Sequence, residues 1–177
     1  GSNSLTELLV FGKLAGDEAA ARAKSLAPGN SSNLLKQAQA AEQRVLALRN
    51  QTGGTERMAT IRKEMVKTME EGCGIYRVEE TMQNTCDKLL ELRQRFKNIN
   101  LDDKSSVWNT DWLYAIELDY QLDVAQAMAV SAVNRKESRG AHQRLDGPDG
   151  AYTQRDDVNF LKHSDAYYQP DSTPNIT

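Results

Sequence analysis

The 177-residue sequence is poor in several things that would have pointed to a function. It has two cysteines, Cys73 and Cys86. Two cannot build a disulfide framework, and their spacing matches no zinc-ligand pattern. They read as free, partly buried thiols in a reducing compartment. Aromatic side chains make up only 6% of the chain. No apolar run approaches the roughly 18–20 residues of a membrane span. The first apolar stretch, Leu8 to Phe11, is short and has no basic flank, so no secretory signal is visible. Charge of one sign is also missing. The 22 basic and 25 acidic side chains leave a formal charge of −3, which argues against a nucleic-acid or anionic-membrane footprint. No repeat of 20–50 residues is found. No Gly-x-Gly-x-x-Gly follows a strand, and there is no P-loop, no His-Glu-x-x-His and no nucleophile elbow. A metal site and a self-contained catalytic site are therefore not expected.

What the sequence does have is helical periodicity. The length suits one domain, at roughly 150 residues each, and 39% apolar content supports a modest core. A first helix is expected over 4–24, with Leu5, Leu8, Leu9, Phe11, Leu14 and Ala15 on one face. Ser4 and Glu7 stand in capping-box relation. Residues 27–32, with Pro28 and Gly29, read as a linker. Further helices are expected over 33–49, 55–71, 78–97, 111–118 and 123–138. Asp123 would favour the positive end of the last of these, whose small residues (Ala125, Ala127, Ala129, Ser131, Ala132) mark it as the central, closely packed one. Gly147-Pro148-Asp149-Gly150 is turn chemistry, and the last residues, with Pro170 and Pro174, read as an extended tail. No convincing period-two alternation appears. The fold class expected is all-α, a helical bundle with an irregular C-terminal arm.

Candidate functional residues are few. Successive free N–H groups at the start of the first helix form an acceptor site for negative charge, and the small, polar opening Gly1-Ser2-Asn3-Ser4-Leu5 would let a ligand edge reach it. The plain alternative is an ordinary N-cap. The densest cluster of functional groups is Arg135 to Arg144. Its plain reading is a solvated helix end stopped by Gly140; its functional reading has His142, flanked by Arg139 and Arg144, gripping a carboxylate or a partner surface. His163 reads as a structural histidine in an apolar strip. Trp108 and Trp112, four apart, read as packing residues. Asp111 and Glu117 read as solvated or salt-bridged rather than as a catalytic pair.

Four stretches carry more than periodicity: GSNSLTELLVFGKLAG (1–16), MEEGCGIYR (69–77), WNTDWLYAIEL with VAQAMAVSAVNRKESRGAHQRLD (108–146), and RDDVNFLKHS (155–164). Together and in this order they resemble the C-terminal third of the flavoprotein subunit of fumarate reductase and succinate dehydrogenase. L-aspartate oxidase and adenylylsulfate reductase flavoproteins share the layout, but NFLKHS favours the fumarate/succinate enzymes. The resemblance implies an FAD oxidoreductase of the respiratory chain and tricarboxylic acid cycle. In such enzymes fumarate and succinate interconvert by hydride exchange at the flavin and proton transfer through an arginine. An iron–sulfur subunit relays electrons to or from quinone, and membrane anchor subunits hold the complex at the cytoplasmic side of the membrane.

By the same resemblance, Ser4 and Leu5 sit beside the flavin ring, while the dinucleotide fold and the substrate-binding arginine and histidines lie upstream of Gly1. The expected organisation is a terminal helix of the FAD-binding domain (1–26), a linker and connecting helix (27–54), a helical domain (55–146) and an irregular arm (147–177). The opening Gly1-Ser2, without Met, reads either as an expression scar or as the start of a piece of a longer protein; alone, that piece would be inactive. Departures from the family lie near the end. Residues 147–152 look longer than the family's connection, Asp165 stands where a small apolar residue is usual, and the family's following hairpin and C-terminal strand are expected to be absent after Pro174. Two other functions stay open at this point: a stand-alone helical interaction module that docks through Arg139, His142 and Arg144, and, last, a divergent enzyme using His142 and Arg139.

Overall fold

The structure is a computed structural model that describes residues 4–29 and 31–177. Residues 1–3 and 30, and the side chain of Ser4, lie outside the described part, and with them the capping box and the opening of the GSNSL motif. Two compact units divide the chain between residues 43 and 44.

In the first unit, α1 (Ser4–Ser25) begins at the expected position. Glu7 in its first turn and Arg22 and Lys24 in its last suit the helix dipole. Its large apolar side chains are open: Leu5 is 79% exposed, and Leu8, Leu9, Phe11 and Leu14 are each more than half exposed. α2 (Ser31–Asn50), rich in Ala, Leu and Gln, runs from this unit into the next.

The second unit is a helical bundle of α3 (Met58–Cys73), α4 (Glu79–Phe96) and α5 (Thr110–Asn134). Three- and four-residue spacings put Ile61, Met65, Leu89, Leu92, Phe96, Ala115, Leu118, Leu122, Ala125 and Ala129 into one core. Leu48 of α2 and Trp112 of α5 pack against it. Gly72 is required where α3 meets α4, because a Cβ there would stand 1.8 Å from Thr85 Oγ1 and 2.8 Å from the Thr81 carbonyl oxygen. Cys73 and Cys86 are free thiols in and beside this core. Burial pushes the Cys86 thiol up to about 12, so it stays protonated and unreactive.

Two short helices were expected where α5 runs unbroken. Asp119 and Asp123 look like the ends of separate segments, but each meets an arginine from another helix: Asp119 accepts from Arg44 at 3.0 Å, and Asp123 pairs with Arg93 at 3.0 Å. Asp123 is therefore mid-helix and not at an N-terminus. With its acidic residues paired, and without Gly or Pro, the segment continues as one helix of 25 residues. Asn109 caps it, accepting from the Trp112 N–H at 2.7 Å. Of its small residues, Ala125, Ala129 and Ala132 are buried, while Ala127 and Ser131 are half-buried.

Two-residue strands complete the unit. β1 (Tyr76–Arg77) pairs in parallel with β2 (Gln143–Arg144), and β3 (Ala166–Tyr167) pairs antiparallel with β4 (Asn175–Ile176). Between them lie a 3-10 turn at Pro148–Gly150 and α6 (Asp157–Phe160). The arm is thus more ordered than its sequence suggests. Arg93 holds it to the bundle, donating to the carbonyl oxygens of Gln169, Pro170 and Ser172.

Candidate functional site

α5 ends at Asn134, four residues before the expected stop, with Arg135 as its C-cap. Gly140 is not the helix cap. It sits at φ +57° in the tight turn that pairs Arg139 with His142. Residues 135–146 therefore form a folded loop that buries Glu137 and Arg144 and leaves Lys136 on the surface.

Glu137 is the centre of this loop, with no exposed surface. Its carboxylate accepts from Arg135 Nη1 at 2.8 Å, from Arg139 Nε at 2.7 Å and Nη2 at 3.0 Å, and from the Asp156 backbone N–H at 2.6 Å. Arg139, then the Asp156 N–H and Arg135, hold its carboxyl down to about 2 against the opposing effect of burial. Arg139 also donates to Asp157, whose own carboxyl Arg155 and Arg139 bring to about 2.

Arg144 is 2% exposed. It donates to Asp146, to Glu79 Oε2 at 2.6 Å, and to the carbonyl oxygens of Val133 and Arg135 at 3.2 and 3.1 Å. His142 lies 2.8 Å from Arg77 Nη1 through Nδ1 and 3.0 Å from the Arg135 carbonyl oxygen through Nε2. A guanidinium only donates, so Nδ1 accepts and Nε2 carries the proton. Burial first, then the charges of Arg77, Arg144 and Arg135, push this imidazole's pKa below its usual value, while the bond to the carbonyl opposes them.

The structure thus brings Arg139, His142 and Arg144 into one network around Arg135 and commits their polar atoms to partners within the chain. The residues that complete it, Arg77, Glu79, Glu137 and Asp146, were not singled out in the sequence. Only the alternation Arg135-x-Glu137-x-Arg139 hinted at an ion-pair ladder. His163 is exposed, not structural, because α6 ends at Phe160 and leaves residues 161–165 on the surface. Trp108 does not pack either: it is 95% exposed, at φ +56°, just ahead of α5. Trp112 does pack, with its indole N–H on the Val45 carbonyl oxygen at 2.8 Å and Arg49 over its ring. Glu117 is exposed and Asp111 half-buried. Beside the network lies a cavity of about 540 Å³ lined by Ser131, Arg135, Arg139, Phe160, Lys162 and His163, among others.

Acid should loosen this loop. Glu137 titrates near 4.3 when unfolded and near 2 when folded. Its contribution is therefore complete above about pH 4.3 and lost as pH falls through about 2. His142, held neutral in the fold, adds a loss that begins as pH drops below its unfolded value of about 6.5. Thermal melting should be flat above neutrality and fall steadily in acid. The Glu137→Gln variant should lose the steep part between about pH 4 and 2, and an unchanged profile would refute the assignment.

No group of three or more His, Cys, Asp or Glu residues among the described residues could hold a metal ion, and no helix among them is long and apolar enough to cross a membrane. The class that the fold defines is an all-α helical bundle in which Arg135, Glu137, Arg139 and Arg144 are paired within the chain. The chain belongs to the family described as fumarate reductase flavoprotein C-term, whose profile matches residues 62–177. It is 59% identical to the fumarate reductase flavoprotein subunit of Serratia sp. (strain ATCC 39006) and 57% identical to that of Escherichia coli (strain K12), in each case over 99% of this chain and 29% of the relative. It superimposes on a solved E. coli quinol fumarate reductase chain with a TM-score of 0.91 at 56% identity, covering all of this chain and 30% of that one. The chain therefore spans less than a third of the length of these relatives.

Proposed function

We propose that this chain is the C-terminal part of an FAD-dependent flavoprotein subunit that interconverts fumarate and succinate. In this reading residues 1–26 belong to the FAD-binding domain, 27–54 connect, 55–146 form the helical domain and 147–177 the arm. The subunit passes electrons to or from an iron–sulfur subunit, in a complex held at the cytoplasmic face of a membrane by anchor subunits.

The observation that carries this is α1. A helix with Leu5, Leu8, Leu9, Phe11 and Leu14 open to water forgoes about 1.5–3 kcal/mol for each such side chain left unburied. A larger body that covers this face accounts for it, and the remainder of the flavoprotein subunit is that body.

The residues present fit one edge of a flavin. α1 starts at Ser4, and backbone N–H groups of its first turn have no partner within the helix. Bound there, FAD would supply the hydride acceptor and donor. Ser4 and Leu5 would place helix N–H groups and the positive dipole end against the charge that reduced flavin carries. Arg139, His142 and Arg144 support docking by shaping the loop, since the two arginines are already paired, and the histidine hydrogen-bonded, inside it.

The reading is tested by comparing the 177-residue chain with the same chain joined to its upstream coding sequence. The extended protein should purify with one flavin per subunit, and the short chain with none. In the extended protein Leu5→Glu should reduce flavin retention. Stoichiometric flavin on the short chain, or none on the extended one, would refute the proposal.

A further inference from the structure

The arm ends in a hairpin. Asp165 and Thr177 exchange both backbone hydrogen bonds at 3.1 Å, β3 and β4 pair inside that closure, and residues 168–174 form the loop. No residue from 161 to 177 is buried; Gln169, Pro174 and Ile176 are half-buried and the rest are exposed. Of the hairpin's side chains, Ile176 packs against the core. The remaining grip on the bundle is polar and comes from few groups.

Arg93, its side chain 10% exposed, reaches from α4 into the loop. It donates to the carbonyl oxygens of Gln169 at 3.3 Å, Pro170 at 3.2 Å and Ser172 at 3.1 Å, and lies 5.5 Å from the centre of the Tyr168 ring. Asp123 of α5 holds the same guanidinium at 3.0 Å, which fixes it to the bundle independently of the loop. Lys97 adds an exposed pair with Asp171, of a kind worth little. The fit beneath is loose. One groove of about 190 Å³ runs between Val124 and Ala127 on α5 and Ala166, Tyr168 and Pro174 on the hairpin, and another of about 100 Å³ lies where Tyr168 and Pro170 face Phe96 and Leu122. Walls that do not meet forgo dispersion contacts. The start of the arm, in contrast, is tied down: Arg135 donates to the carbonyl oxygens of Phe160 and Lys162, each at 2.9 Å.

We infer that residues 165–177 are a detachable strap, a hairpin that leaves α4 and α5 as one unit while the bundle stays folded, with Arg93 as its clip. The three carbonyl oxygens on the guanidinium lie within residues 169–172, so the loop lets go of them together. A two-stranded hairpin is at best marginal in water by itself, so a released strap loses its own pairing as well. Release uncovers the edge of the bundle around Phe96 and Leu122. Neither the flavin edge nor the Glu137 loop enters into this, so it stands or falls apart from the proposed function.

Hydrogen exchange of the 177-residue chain, read by mass spectrometry, compares the strap with the middle of α5 (115–132). The strap should open at lower free energy than α5, and so exchange faster. Arg93→Met keeps an unbranched apolar stem and removes the clip; it should speed exchange over 165–177 roughly ten- to a hundredfold, the factor for one lost charged hydrogen-bonding group, and α5 far less. The same substitution in a chain already carrying Asp123→Asn, where no carboxylate is left without its arginine, should speed the strap equally. A chain ending at Ser164 should keep the protection of α3, α4 and α5. Equal protection of strap and α5 in the unaltered chain, no acceleration on losing Arg93, acceleration shared equally by both regions, or loss of the bundle on truncation would each overturn the inference.

Discussion

Arg144→Ala is expected to cost about 2–3 kcal/mol of folding free energy, the order of a lost hydrogen-bonded charge, less than for a fully buried pair because the Glu79 and Asp146 side chains are 46% and 23% exposed and would be solvated. The side chain is 2% exposed and serves four groups at once: the carboxylates of Glu79 and Asp146 and the carbonyl oxygens of Val133 and Arg135. Truncation would take this donor from the Val133 carbonyl and one of two from the Arg135 carbonyl, which His142 also serves, and would leave Asp146 near Glu79 with only Lys136 still paired to Glu79. Asp146 also accepts the Glu79 N–H at the start of α4, so the damage would reach the entry to that helix. Arg144→Lys should recover less than half of the loss, because a point charge with one short fan of donors cannot reach partners placed on several sides of a planar guanidinium. Urea unfolding of the three proteins would show this as a drop in the transition midpoint at constant slope. An alanine variant within about 1 kcal/mol of the parent would show that the network does not support the fold.

Leu118→Ala is expected to lower stability by about 2–5 kcal/mol. Leu118 has no exposed surface and lies in the middle of α5, surrounded by the α3 and α4 faces of the core. Three helices fix its surroundings, so the cavity left by its isobutyl group cannot collapse fully. Leu118→Met, which keeps the volume, should cost less than about 1.5 kcal/mol. The comparison also tests the continuity of α5. If the helix were broken after residue 118, as the sequence suggests, that position would sit at a helix end where neighbours relax, and alanine would be tolerated almost as well as methionine.

Helices were the legible part of this chain because their apolar spacing is local. α1, α3 and α4 fall where periodicity puts them, to within a turn. α5 was not legible as one element, because the residues that carry it through 119–123 are stabilised by Arg44 and Arg93, which belong to other helices. The arm was illegible for the same reason: its strands are two residues long, and Arg93 orders it from a distance. Arg139, His142 and Arg144 were visible as a cluster, yet the sequence made them look available. Their partners Arg77 and Glu79 are 65 positions away from His142 and Arg144.

The pairing of β1 with β2 has a kinetic consequence. Tyr76–Arg77 must meet Gln143–Arg144 in parallel, and the chain has to complete both α4 and α5 before the two can touch. Contacts that close so long a loop form slowly, whereas adjacent helices such as α3 and α4 assemble from near neighbours in sequence. The helical hairpin should therefore form first, and the arginine-rich loop should lock last, as a latch on a bundle that has already condensed.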